Sequence, residues 1–447
     1  MALSTLTTND ESILNSSNFM DIALNFFVNA EKTRANFRLG TEHEIFAVDR
    51  NNKPLDYWGE NGIESILKKI CEQPDPWGHA FNPVYEDSHI VALQSEGSSV
   101  TLEPGGQIEL SGNQCHSAHE STHEIHWFRH TLEQLSPAET QFITLGFHPS
   151  ARREDFIWVP KQRYQIMRNY MPKKGTLGID MMLRTCTVQA NLDYESEADM
   201  VESARTAFAI SPIVAALFVS SPFKEAKPSG NLSERIHTWT DTDNDRCGYP
   251  GIVFADDFGY KKWIEFALDV PMYFVRRDNR YVDMSGRSFR TFINDGFDGL
   301  QATLGDFADH LTTIFTEVRI KPYLETRSAD CGPIEHLCAL PALWKGILYD
   351  VESRKKAWQL MQEPSMNELS ELHAFASKQA LKARYRGRTL QSLAADLLEL
   401  SRAGLQRQNV LNKDGFNETI YLKPLFEMVA SGQSYAEKLL ASNYFGI

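Results

Sequence analysis

The chain has 447 residues, 42% of them hydrophobic and 23% charged, which fits one large soluble domain or two intimately packed ones and exceeds one small core. Its net charge of −14 argues against a general nucleic-acid surface and suits a protein that keeps carboxylates for metal ions. Six scattered cysteines (Cys71, Cys115, Cys186, Cys247, Cys331, Cys338), with no C-x-x-C spacing, read as buried free thiols in a reducing compartment.

The first residues are polar and carry Asp10 and Glu11 before any base. Neither a secretory signal nor a transit peptide is expected, and the protein is expected to be cytoplasmic. Residues 16–35 show the pattern of an amphipathic helix capped near Ser16 or Ser17, with Ile22, Leu24, Phe26 and Phe27 on its apolar side. Arg38-Leu-Gly-Thr-Glu-His-Glu44 then alternates like a strand. Successive strand side chains point to opposite faces, so Glu42 and Glu44 share one. Alone, such a pair is a solvated strand face; it gains meaning only if other carboxylates converge on it. Asp49-Arg-Asn-Asn52 closes the strand, residues 61–72 read as a short helix and 91–93 as a short strand.

In Val100-Thr-Leu-Glu-Pro-Gly-Gly-Gln-Ile-Glu-Leu-Ser-Gly112, the tight-turn sequence Pro104-Gly105-Gly106 lies between two alternating halves and predicts a hairpin. Glu103 sits at its tip, and Glu109 shares a face with Gln107 and Ser111. Residues 114–136 read as a His-rich helix and 142–147 as an apolar strand. Residues 151–180 concentrate Arg152, Arg153, Lys161, Arg163, Arg168, Lys173 and Lys174 in an irregular segment. That is either a solvated loop or a cradle for phosphate or carboxylate, which guanidinium groups bind bidentately. Residues 184–193 are the clearest strand. Cys186, Val188, Ala190 and Leu192 make one face, and Thr185, Thr187, Gln189, Asn191 and Asp193 make a fully polar other. Such a face marks a wet cavity or a one-sided exposed sheet.

Ser196, with Asp199 three residues on, is a capping signal for the next helix. The longest uncharged run, 206–223, contains Pro212 and reads as a buried helix with a break, not a membrane span. Residues 224–250 read as loop; 268–275 and 280–284 read as strands joined by a turn at Asp278-Asn279. In 317–327, Arg319, Lys321, Tyr323, Glu325 and Arg327 share the polar face of another alternating run. From 333 onward the pattern is helical, with 390–405 strongly amphipathic, and no repeat or low-complexity linker divides the chain.

Polar strand faces thus carry Glu42/Glu44, Glu103/Glu109, Gln189/Asn191 and Glu325/Arg327. Clustered carboxylates without Cys or His partners favour hard cations, Mg²⁺ or Mn²⁺. With arginines as the anion-binding counterpart, the set suits metal-assisted phosphoryl transfer. There is no Walker A sequence; Lys174-Gly-Thr-Leu-Gly178 is too short. A competing pattern is His119-Glu120-Ser121-Thr122-His123, an H-E-x-x-H match on a predicted helix that would make a zinc metallopeptidase with Glu120 as base. His126 and His130 continue that face, but no third ligand stands in a recognised register, so a polar helix surface is the plainer reading.

Several segments resemble the plant and proteobacterial type of glutamate–cysteine ligase: Leu39-Gly-Thr-Glu-His-Glu44, Thr101-Leu-Glu-Pro-Gly-Gly-Gln-Ile-Glu-Leu-Ser-Gly112, Tyr164-Gln-Ile-Met-Arg-Asn-Tyr-Met-Pro172, Arg184-Thr-Cys-Thr-Val-Gln189, His237-Thr-Trp-Thr-Asp-Thr-Asp243, Leu268-Asp-Val-Pro-Met-Tyr273 and Leu337-Cys-Ala-Leu-Pro-Ala342. The match runs from about 38 to about 405. The resemblance implies an α+β fold, a curved, mainly antiparallel sheet forming a funnel flanked by helices, related to glutamine synthetase. It implies a single catalytic domain over 1–447, with the sheet core at about 38–330 and a mainly helical part at about 333–447. The activity it implies is ATP-dependent ligation of the γ-carboxylate of glutamate to the amine of cysteine through a γ-glutamyl phosphate, the first step of glutathione biosynthesis. A relative with a different acceptor amine is the alternative within the ligases.

By the same resemblance, Glu42, Glu44, Glu103, Glu109 and Glu325 are expected as ligands of two or three Mg²⁺ ions (Mn²⁺ being possible), with Gln189 beside them. Arg163, Arg235 and Arg327 are the expected catalytic arginines. Arg163 and Arg235 would clamp a carboxylate with Tyr273 lining that pocket, and Arg168 and Lys173 would touch phosphate. The expected partners are small molecules alone (glutamate, cysteine and ATP), without nucleic acid or membrane, on a monomer or weak homodimer. Two departures stand out. Where the family commonly has Lys after E-H-E, this chain has Ile45. The positions matching a plant redox-switching disulfide hold Met284 and about Gly299, and a second pair is reduced to Cys338 opposite Thr122, so no activation by disulfide oxidation is expected.

Overall fold

The computed structural model describes residues 12–278, 280–442, 444 and 445. An antiparallel sheet of nine strands carries the site, and helices cover it. In chain order, the first half contains α1 (Phe19–Val28), β1 (Leu39–Val48), α2 (Ile63–Cys71), β2 (Asn82–Glu86), β3 (His89–Gln94), β4 (Ser99–Leu102), β5 (Ile108–Ser111), α3 (Ala118–Leu135), β6 (Gln141–Ile143), α4 (Gln162–Tyr170), α5 (Gly178–Arg184) and β7 (Thr187–Leu192). The middle contains α6 (Glu197–Phe218), α7 (Glu234–Trp239), α8 (Tyr260–Asp269), β8 (Phe274–Arg277), β9 (Arg280–Asp283), α9 (Phe289–Asp295), α10 (Leu304–Thr312), β10 (Val318–Ile320) and β11 (Leu324–Asp330). Helices α11 (Ile334–Leu348), α12 (Val351–Leu360), α13 (Met366–Gln379) and α14 (Leu390–Gln408) dominate the rest.

The strand order is β10-β11-β7-β1-β5-β4-β3-β2, with β6 pairing the far half of β1. β1 is therefore central and buried along its whole length. Its register sets Glu44 opposite Glu109 on β5, and Glu42 opposite Ser111 on one side and Gln189 on the other. β11 pairs β7 with Glu325 opposite Asn191, and a bulge between Thr326 and Ala329 inserts one extra residue at Arg327-Ser328. Such a bulge bends the strand and re-aims its side chains, so Glu325 and Arg327 need not obey plain alternation.

The β4–β5 hairpin closes as its turn sequence predicts. Gly106 N–H donates to the Glu103 carbonyl (2.9 Å), and Gly106 takes the left-handed φ of 84° that glycine tolerates. Gly105 serves a different need, because a Cβ there would lie 2.5 Å from the Leu183 carbonyl oxygen of α5. The hairpin tip thus rests directly on the α5 backbone. Gln107 fastens it, with Nε2 donating to the Met182 (3.3 Å) and Thr185 (3.0 Å) carbonyls.

The apolar residues form two clusters. The larger gathers α6, α8, α11 and α14 with one side of β1 and β7. The smaller packs α2, the β4–β5 hairpin, α4 and α5. Ile45 lies in the smaller one, fully buried and opposite Ile108, where a lysine would be desolvated. The helix over 206–223 differs from expectation: α6 runs unbroken through Pro212, held on all sides by core, and Ser211 Oγ donates to the Ala207 carbonyl (2.8 Å) one turn back. It is long and apolar enough to cross a membrane, but 83% of its most apolar stretch is buried inside the protein. Ser196 caps its start by accepting from the Asp199 N–H (3.2 Å).

Other expectations shift. The first helix is shorter than 16–35, and the strand over 142–147 shrinks to β6. The basic segment 151–180 holds α4 and the start of α5, and the 224–250 loop holds α7. Residues up to Asp269 end α8 instead of opening a strand; the expected turn at Asp278-Asn279 falls partly on Asn279, which lies outside the described residues. The run 317–327 is a hairpin, β10 and β11, because Pro322 sits where a continuous strand would need a ladder donor.

The Gly105→Ala variant should lose about 1–3 kcal/mol of stability, the usual cost of forcing a methyl into a closed contact. Denaturant unfolding with an unchanged slope measures it; a variant as stable as the parent would show that the tip does not press on α5.

Candidate active site

A cavity of about 120 Å³ opens where the polar sides of these strands meet. One wall is acidic: Glu42 and Glu44 from β1, Glu103 from the hairpin tip and Glu109 from β5. Glu42 Oε1 accepts from Asn191 Nδ2 (2.8 Å), Glu44 Oε2 from the Thr187 N–H (2.9 Å), and Glu109 Oε2 from the Thr101 hydroxyl (2.7 Å). Among the described residues, none of the four has a cation within ion-pair distance. Burial, then the charges of Glu103 and Glu109, push the Glu44 carboxyl well above its ordinary range. Burial, then Glu103 and Glu42, push Glu109 up to about 8. Like charges at directly opposed sheet positions repel, and a low dielectric sharpens it.

The other wall is basic: Arg163 from α4, Arg235 from α7, Arg319 from β10 and Arg327 from β11. Arg235 donates to the Arg327 carbonyl (2.8 Å) and lies 3.8 Å from Asp330. Arg327 donates to Gln189 Oε1 (2.9 Å) and Glu325 Oε1 (2.7 Å), and its guanidinium lies over the Trp239 and Phe315 rings. Arg163 bonds the Tyr164 hydroxyl (3.2 Å) and has a buried Nε with no partner.

Glu325 does not join the acidic wall. Arg319 (2.5 Å), Lys321 (2.6 Å) and Arg327 (2.7 Å) all contact its carboxylate. Burial opposes its charge, but these three cations outweigh it and hold the carboxyl well below the usual range. It is a counter-ion shared by three bases, and Gln189, whose carbonyl oxygen accepts from Arg327, is likewise engaged. Both are expected metal ligands, and in this structure both contact Arg327.

The donors left over are hard oxygens whose mutual repulsion a divalent cation would relieve, so the four-glutamate wall fits magnesium chemically. As the side chains stand, no three His, Cys, Asp or Glu among the described residues are gathered tightly enough to hold one ion. Four uncompensated carboxylates hold one another apart.

Three expected residues lie elsewhere. Tyr273 is buried behind the cavity, its hydroxyl donating to Asp243 (3.2 Å) and its ring under the Arg246 guanidinium (3.8 Å), while its neighbour Phe274 lines the cavity. Arg168 is exposed and stacks on Trp158, and Lys173 is exposed on the turn after α4. The H-E-x-x-H pattern is spent on α3 itself. His119 Nδ1 pairs with the Tyr421 hydroxyl (2.8 Å), Glu120 accepts from the His116 N–H (2.7 Å), and His123 packs edge-on against Trp77. All six cysteines are free thiols, and Cys338 lies beside Thr122. Residues without an assigned role that nevertheless line the cavity include Thr187 and Arg319, both already on polar faces in the sequence, and Thr312 and Thr313, whose position at the end of α10 carries no sequence signal.

Known proteins resemble this arrangement along nearly the whole chain. The model of glutamate–cysteine ligase family 2 matches residues 38–445. The chain belongs to this family. The chloroplastic glutamate–cysteine ligase of Arabidopsis thaliana is 44% identical over 416 residues, covering 92% of this chain and 77% of the relative. Glutamate–cysteine ligase B of Oryza sativa subsp. japonica, also chloroplastic, is 42% identical over 422 residues, covering 93% and 82%. Among solved structures, the glutamate–cysteine ligase of Francisella tularensis in complex with AMP superposes with a TM-score of 0.58 at 11% identity, covering 93% of this chain and 86% of that one, a likeness of fold. The protein is an ATP-dependent ligase that forms γ-glutamylcysteine, the first step of glutathione biosynthesis. The expected cytoplasmic location does not stand: the plant relatives are chloroplastic.

Two outcomes follow. Because Glu109 binds its proton more tightly folded than unfolded, its contribution to stability is complete below its ordinary 4.5 and is lost as pH rises through about 8. Protein stripped of divalent ions should therefore melt at lower temperature as pH climbs across that window, and Glu109→Gln should flatten the slope. Glu325→Gln should cost about 3–5 kcal/mol by leaving buried cations unpaired. An equally stable Glu325→Gln would contradict the counter-ion role.

Proposed function

We propose that the acidic wall, Glu42, Glu44, Glu103 and Glu109, holds Mg²⁺ for the ligase reaction, and that Arg163, Arg235 and Arg327 handle the substrates' anionic groups. The observation that carries this reading is the opposition of Glu44 and Glu109 at the centre of a buried sheet, where Arg235 and Lys161 act only at a distance and burial and like charge outweigh them. When bound, magnesium supplies charge neutralisation for the phosphates of ATP.

The residues' own part is alignment. Asn191 and the Thr187 N–H orient Glu42 and Glu44, and Thr101 orients Glu109, each through one hydrogen bond. Arg235, held by the Arg327 carbonyl and Asp330, and Arg163, with its free Nε, present guanidinium edges to substrate carboxylates. Arg327 is pinned between Glu325 and two aromatic rings, where it can stabilise charge on a transferring phosphoryl group. In this scheme the glutamate γ-carboxylate takes the γ-phosphoryl of ATP, and the cysteine amine attacks the acyl carbon, expelling phosphate and losing a proton. No enzyme nucleophile is needed, and the described residues lining the cavity include no Ser, Cys, His or Lys.

The test is ADP release at saturating Mg²⁺ and ATP, which should require glutamate and cysteine together. Glu42→Gln and Glu44→Gln should each lower turnover by about 10²-fold or more, the scale for losing one preorganised electrostatic group, with melting little changed. Either variant turning over like the parent at limiting Mg²⁺ would return the pair to being a strand face.

A further inference from the structure

We propose that Met167, Met181 and Met182 form the wall that reads the acceptor's side chain, and so select cysteine over hydroxylated amino acids. The inference rests on this cavity being the reaction site. All three methionines line it, Met167 from α4 and the other two from α5, at 9%, 9% and 2% exposure.

The other apolar lining is already occupied. Trp239 and Phe315 carry the Arg327 guanidinium, and Phe274 packs edge-on against Tyr281 (4.9 Å between centroids). The charged walls answer the rest of the chemistry, since the phosphates and the glutamate carboxylates need guanidinium groups and cations. Of the acceptor's groups, the thiol, which takes no part in bond making, is the one best served by a surface with no hydrogen-bond donor. Thioether sulfurs are polarisable, and their side chains adapt to a small soft group. Met167 also stands one turn after Arg163 on α4, so a guanidinium and an apolar contact share a helix face. That pairing suits an amino acid gripped by its carboxylate and read by its side chain.

The wall is fixed in place. Gln107 Nε2 donates to the Met182 carbonyl (3.3 Å), and the hairpin tip at Gly105 abuts α5. The same hairpin carries Glu103, so the acidic wall and the methionines are held by one element.

A serine hydroxyl against this wall would lose its water and find no partner, whereas a methyl in place of the thiol would fit. A hydrophobic pocket rejects an added hydroxyl by on the order of 100-fold. The experiment measures kcat/KM from ADP release, at fixed glutamate and ATP, with cysteine, 2-aminobutyrate and serine as acceptors. The parent should use 2-aminobutyrate within about tenfold of cysteine and serine about 100-fold less well. Met167→Gln and Met181→Gln should each narrow the cysteine-to-serine ratio about tenfold or more, with the KM for glutamate unchanged, while Met167→Leu and Met181→Leu keep it. If the parent uses serine as well as 2-aminobutyrate, or if folded Gln variants keep the parental ratio, the wall does not select the acceptor. The parental comparison decides even if a variant fails to fold. No ADP release with glutamate and cysteine would overturn the reaction assignment itself, a result distinct from release that ignores the acceptor's side chain.

Discussion

The structure turns on two carboxylates that the sheet forces to face each other. β1 is the central strand, and its pairing with β5 leaves Glu44 opposite Glu109 with no freedom to slide, because a one-residue slip would turn every buried side chain on β1 to the wrong face. The neighbours soften the repulsion without cancelling it. A backbone N–H and a threonine hydroxyl each give one hydrogen bond. Lys161, the nearby buried base, is turned away onto the Leu102 carbonyl (2.8 Å), and burial followed by the charge of Arg163 draws its ammonium down to about 7. The fold therefore carries an uncompensated negative centre, which a proton or a cation can relieve.

The basic wall is built on the opposite rule. Three cations share Glu325, Arg235 is tied to a carbonyl and approached by Asp330, and Arg327 lies on two aromatic rings. Here carboxylates, a carbonyl and aromatic rings hold the cations, and their charge is spent on orientation. Among the described residues, the acidic wall lacks ion-pair partners and the basic wall has them, which in the proposed reaction separates the part that would hold metal from the part that would grip substrate. A buried pair of this kind is weak evidence for stability but strong evidence for placement, since each arginine is over-determined by its contacts.

The portions of this arrangement legible in the sequence were those governed by strand period and turn chemistry. Glu42 with Glu44, the Pro104-Gly105-Gly106 turn and the polar face through Thr187 and Gln189 all follow from alternation, and each lies where that reading puts it. The carriers of Arg163 and Arg235 did not follow. Helices α4 and α7 have 9 and 6 residues, too few for a periodic signature, and tertiary packing decides them. The hairpin over 317–327 hid because Pro322 lies inside an otherwise regular alternation, and the bulge at Arg327-Ser328 resets the phase beyond it. Glu325 was found as a polar strand residue, but its partners could not be. Arg319 reaches it across the sheet at a paired position, a relation that exists only once the chain has turned back. Tyr273, which the resemblance implies as a pocket residue, has its phenol on Asp243, while its neighbour Phe274 lines the cavity.

Alignment chemistry asks for rigidity between parts that are distant in sequence, and the hairpin tip supplies it. Gly105 lacks a side chain so that the tip can touch the α5 backbone, and Gln107 locks the contact by accepting from the Gly105 N–H (3.0 Å) and donating to two carbonyls ahead of β7. A single side chain thus ties Glu103 at the tip to α5 on one side and to the start of the strand bearing Thr187 and Gln189 on the other. Since misplacement by about 1 Å can cost on the order of 100-fold in rate, residues that touch no substrate can matter to turnover as much as those that do. The two glycines and the glutamine of this turn are best understood in that light: they hold a carboxylate still against the charge of its neighbours.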